Sequence, residues 1–134
     1  MRGWFGGSST EGALSVEDDD LVVVAESGDE AQASSAALSS PSWRKDDEVV
    51  LRHVLILPDD RVAEASDIAA LDGYLCRRLG PDPADDSAEV IALSRVQMID
   101  AMHLSQERSR MASLGSRCGG EVVGWQVLQR PSRV

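Results

Sequence analysis

The chain has few cysteines and few aromatics, and only a single lysine. Its two cysteines, Cys76 and Cys118, sit in no CxxC pair, which argues against a disulfide framework and against structural zinc. The four soft-ligand candidates, His53, Cys76, His103 and Cys118, fall in four separate segments with no paired spacing, so no metal or other cofactor is expected. The strand-like runs 49–57 and 88–99 contain no aromatic residue. An RNA recognition motif needs stacking rings there. GxxxxGK[ST], GxGxxG and GxSxG do not occur. No apolar run approaches the roughly 18 residues of a membrane span, and MRGWFGGSSTEG lacks the apolar stretch of a signal peptide. The expectation is therefore a cytoplasmic protein without enzymatic activity, off the membrane.

What is abundant is acid. The formal net charge is −10 over 134 residues. It is uneven: residues 1–48 carry eleven acidic and three basic side chains, residues 49–134 twelve acidic and ten arginines. Such a field repels phosphate backbones, so direct nucleic-acid binding is not expected. A basic protein surface is the complementary partner, with Glu17, Asp18, Asp19 and Asp20 as contact candidates.

The most informative stretch is 88–128. AEVIALSRVQMI splits by parity with both faces mostly apolar, the pattern of an inner strand. From Asp100 the period becomes helical: Ala101, Leu104, Met111 and Leu114 recur on one side, with Gln106, Glu107, Ser109 and Arg110 elsewhere on the wheel. Asp100 is positioned as the N-cap, Gly119-Gly120 ends the helix, and His103 reads as a capping or surface residue. EVVGWQVL then resumes as a strand, with Gly124 at a bulge or close backbone approach and Trp125 in the core.

Upstream, residues 1–20 are rich in glycine and acid and are expected to be disordered. Residues 21–48 are open between an extra strand and short helix, from LVVVA and DEAQASSAALSS, and a linker. From Val49, VVLRHVLILP reads as a strand, with Asp59 or Asp60 capping a helix through Val62, Ala65, Ile68 and Ala69. Gly73 closes that helix, Tyr74 to Cys76 open a second strand, and GPDPADD forms the loop to the third. The expected domain, residues 49–131, is thus α+β in the order β-α-β-β-α-β. Its economical form is a ferredoxin-like, four-stranded antiparallel sheet with two helices on one face.

RHVLI before a helix, the Gly73-Tyr74 junction, the all-apolar EVIALSRV, MASLGSRCG and the Gly124-Trp125 strand, in this order and spacing, resemble the regulator of ribonuclease E activity B family over about residues 52–130. The resemblance implies a ferredoxin-like fold and inhibition of an RNA-degrading enzyme by protein contact, without catalysis. It singles out His53, Gly73, Tyr74, Gly124 and Trp125, for which turn and core roles are also sufficient. The chain departs from the family in its long acidic N-terminal extension and in lacking an acidic C-terminal tail. The alternative function is a small-molecule-sensing, ACT-like regulatory domain. Neither reading specifies an oligomeric state.

Overall fold

The strand Val49–Pro58 is the spine of the sheet. Its odd-numbered residues Val49, Leu51, His53, Leu55 and Leu57 are fully buried on the helix side, while Arg52, Val54, Ile56 and Pro58 are half-buried on the other. That alternation follows from the twofold period of a strand with helices on one face only. The computed structural model describes residues 13–29 and 32–131. The expected disorder of residues 1–20 therefore lies largely outside the described residues.

The elements in chain order are β1 (Val22–Ser27), α1 (Ser34–Ala37), β2 (Val49–Pro58), α2 (Val62–Ala70), β3 (Leu75–Asp82), β4 (Asp85–Gln97), α3 (Ala101–Arg117) and β5 (Glu121–Gln129). They form one antiparallel sheet in the order β1-β5-β2-β4-β3. This corrects the four-stranded ferredoxin-like sheet with two helices: the described residues contain five strands and three α-helices. The difference comes from residues 21–48. They build β1 onto the free edge of β5 and lay α1 against α3, where Ala37, Leu38, Val24 and Ala25 join Leu51, Leu104, Trp125 and Val127 in one apolar cluster.

Two further boundaries differ. Asp59 and Asp60 do not cap α2; the chain first makes a 3-10 turn, Asp59–Arg61, and Asp59 instead pairs with Arg78 at 2.8 Å. The loop expected over GPDPADD shrinks to Pro83-Ala84, because Gly80 to Asp82 and Asp85-Asp86 are drawn into the β3–β4 hairpin. Register shifts after Arg78 and after Pro81, with Arg77, Arg78 and Pro81 along this outer strand, guard the edge against pairing with another chain.

Beneath α2 and the C-terminal half of α3 a second cluster gathers Leu55, Leu57, Val62, Ala65, Ile91, Leu93, Met111 and Leu114. His53 falls on β2 between Leu51 of the first cluster and Leu55 of the second. Among the described residues no helix is long and apolar enough to cross a membrane.

Candidate functional site

α3 begins where the sequence places it. The Asp100 carboxylate accepts from the His103 amide at 2.8 Å, satisfying one of the orphan donors of the first turn. That amide bond, ahead of the contact with the His103 ring, holds the Asp100 carboxyl below its ordinary range. The cap orients the first turns of α3 so that Ala101, Met102, Ser105, Arg108, Ser109 and Ala112 face the β1–α1 connection across a gap. The gap is a cavity of about 630 Å³, closed on the sheet side by Val122 to Trp125 of β5 and by His53.

His53 and Trp125 are direct cross-strand partners on β2 and β5. His53 is 0% exposed and Trp125 is 4% exposed. Among the described residues, neither ring nitrogen of His53 nor the indole N–H of Trp125 has a hydrogen-bond partner. Each such group forfeits about 1–3 kcal/mol of hydration that nothing in the protein returns. Burial, followed by the charges of Arg95 and Arg108, pushes the His53 pKa down to about 3. The imidazole is therefore neutral at pH 7 and offers one donor and one acceptor.

The wall opposite is polar and ordered. Arg108 Nη1 donates to the Gln32 carbonyl at 2.8 Å and to Ser34 Oγ at 3.1 Å, and Ser105 Oγ donates to Ser34 Oγ at 2.9 Å. The Arg108 guanidinium lies 5.6 Å from the centre of the Trp125 ring, within cation–π range.

Of the residues singled out from the sequence, the fold brings His53, Tyr74, Gly124 and Trp125 together. The Tyr74 ring meets His53 edge-on at 5.7 Å. Its hydroxyl donates to Glu107 Oε1 at 2.6 Å, and Arg95 lies over its face at 4.6 Å and reaches the same carboxylate at 3.3 Å. Burial first, and then the bond to Glu107, hold the Tyr74 phenol well above its ordinary pKa. Gly73 takes φ +84°, a left-handed conformation that turns the chain from α2 into β3. At Gly124 the demand is space: a Cβ there would stand 2.9 Å from the Ser27 carbonyl oxygen, where β1 ends against β5.

Glu17 to Asp20 stand apart from this group. Asp18 is tied to Arg130 at 3.0 Å, while Glu17, Asp19 and Asp20 are exposed.

Arg108, Ser34 and Ser105 carried no signal in the sequence, because their meeting depends on α1 packing against α3. Glu107 is a correction: expected off the apolar side of α3, it follows Leu104 by three and precedes Met111 by four, a spacing that puts it on the stripe, and it is 6% exposed. Among the described residues no group of three or more His, Cys, Asp or Glu side chains is placed to hold a metal ion. Compared with known proteins, the chain matches no family model, no curated protein and no solved structure.

Proposed function

We propose that this chain is a non-catalytic, cytoplasmic interaction module that regulates an RNA-degrading enzyme, such as ribonuclease E, by direct protein contact. The order and spacing of His53, Gly73-Tyr74 and Gly124-Trp125 support the reading through the family resemblance. The observation that carries it is the acidic run. The Asp18–Arg130 pair anchors this segment beside the end of β5, so that Glu17, Asp19 and Asp20 project from a tethered position rather than from a free tail. A protein of net charge −10 presenting such a patch is matched to a basic segment, and exposed charge pairs of this kind act mainly on the association rate.

The test is the binding kinetics of purified ribonuclease E across a salt series, in which the Debye length shrinks from about 10 Å at 0.1 M to about 3 Å at 1 M. Wild type is compared with a variant carrying Glu17→Ser, Asp19→Ser and Asp20→Ser. A lower association rate and a flatter salt dependence in the variant are expected. Equal salt slopes remove the run from the mechanism, and no association at low salt removes the partner.

A second reading, a small-molecule-sensing regulatory domain, is favoured by the cavity over His53 and Trp125.

A further inference from the structure

We propose that two copies of this chain pack face to face through the helix-free side of the sheet, forming a weak, reversible twofold dimer. The proposal goes beyond the regulatory reading and does not depend on it.

The register of the strands defines the surface. Residues paired directly across neighbouring strands share a side of the sheet, so Val54 and Ile56 of β2 share theirs with Ala92 and Val90 of β4 and with Leu75 on the outer strand β3. Both helix-side apolar clusters lie on the opposite side. At one end the helix-free side is already covered, since Val50 is 0% and Leu128 is 4% exposed. From Arg52 to Pro58 it stays open: Val54, Ile56 and Val90 are half-buried, Leu75 is 47% exposed, and no α-helix lies over them among the described residues.

The charges at the two flanks select the occupant. Glu26 of β1 and Glu121 of β5 are exposed on this side, Glu26 in register with Arg52 through Gln126, and Glu121 in register with Ile56. Arg77 of β3 is exposed at the other flank, in register with Val54 through Ala92. Among the described residues none of the three forms an ion pair; Glu26 accepts from the Gln126 amide at 3.2 Å, and Arg52 donates to the oxygen of that amide at 3.1 Å. A basic segment of another protein would meet the two carboxylates but oppose Arg77. A second copy meets both signs at once.

The sheet order makes the match geometric. β2 is the central strand in β1-β5-β2-β4-β3, so a twofold axis along β2, midway between two sheets, carries β3 of one copy over β1 of the other and β4 over β5. Arg77 of the second copy then stands between the rows of Glu26 and Glu121, about 7 Å from each along the strands, a span that a guanidinium on its flexible stem covers. The pairing occurs twice, once at each flank, as an isologous interface requires, and Val54 and Ile56 meet their own counterparts on the axis. From Arg52 to Pro58 the strand rises about 20 Å and five strands span about 24 Å, giving about 500 Å² per copy. A total of about 1,000 Å² lies at the low end of specific interfaces, which makes the dimer weak and reversible.

The experiment is sedimentation equilibrium of the full chain from about 1 μM to about 1 mM, in about 0.15 M salt, where the repulsion between two acidic copies is screened beyond about 8 Å. A concentration-dependent monomer–dimer equilibrium is expected. Arg77→Glu alone, and Glu26→Arg with Glu121→Arg in a second variant, each set like charges against one another at both flanks and should weaken association about tenfold or more. All three positions are exposed, so the denaturation midpoints should stay near that of wild type. An equimolar mixture of the two variants should regain wild-type association, because each flank of the mixed dimer again pairs opposite charges while both chains remain net acidic. Ile56→Lys, which brings two ammonium groups together on the axis, should abolish the dimer. A monomer at every concentration overturns the proposal and leaves the face to a different partner. Association undiminished in both Arg77→Glu and Ile56→Lys overturns it too, as does a mixture that associates no better than either variant alone.

Discussion

His53→Leu should make the protein more stable and less sensitive to acid. At pH 7 the wild-type imidazole is fully buried with both nitrogens unpartnered. Replacing it with an apolar side chain of similar size removes an unpaid desolvation of about 1–3 kcal/mol and introduces a shape mismatch of up to about 1.5 kcal/mol, for an expected net gain of about 1 kcal/mol. The pH dependence is the sharper readout. In the folded protein the His53 pKa is lowered to about 3, whereas in the unfolded chain it returns to about 6.5. Between those values the unfolded state binds the extra proton, so stability falls as pH falls and is level above about pH 7.5. The expected loss is about 2 kcal/mol from pH 7 to pH 5. The groups facing His53 are the neutral Tyr74, Trp125 on β5, and the cations Arg95 on β4 and Arg108 on α3. The carboxylates held below their ordinary range, Glu64, Asp85 and Asp100, begin to lose their stabilising contribution only as pH falls to about 5, at the lower end of this window, and lose it equally in wild type and variant. Urea denaturation at pH 7.5, 6 and 5, in a His103→Gln background that removes the second imidazole, measures the effect. Equal losses in wild type and His53→Leu would refute the reasoning and mean that His53 takes up its proton as readily in the folded protein as in the unfolded chain.

Trp125→Ala should cost about 3–5 kcal/mol by denaturant midpoint, because the ring fills the cluster around Leu51, Leu104 and Val127. Gly124→Ala should cost about 1–3 kcal/mol and raise amide exchange selectively in β1, since the new methyl collides with the Ser27 carbonyl. Glu107→Ala should cost about 2–3 kcal/mol by removing the acceptor shared by Tyr74 and Arg95, and it should bring the Tyr74 phenol down toward its ordinary pKa in a spectrophotometric titration. Deleting residues 1–20 should change the melting temperature little, because Arg130 holds the segment through a partly exposed ion pair with Asp18, worth about 0–1 kcal/mol, and an exposed hydrogen bond to the Ala13 carbonyl.

The sequence by itself determined whatever depends on near neighbours along the chain. The apolar run VVLRHVLILP set the strand β2, and Asp100 set where α3 begins, because strand composition and helix capping are decided within a few residues. Glu107 was placed off the apolar stripe of α3 because a carboxylate reads as solvent-facing, and only the packing of Tyr74 and Arg95 against it shows why it is buried there. Only the tertiary structure decided that LVVVA becomes a fifth strand, since β1 finds its partner in β5, pairing Val22 with Gln129 across most of the chain. A strand's period shows which side chains share a face but not which edge it will join. The same holds for the candidate site. His53 and Trp125 each look like ordinary core residues in their own segments. Their meeting in register, with Arg108, Ser34 and Ser105 across a gap, arises because β1 and α1 settle over the end of β5 while leaving room beneath the first turns of α3.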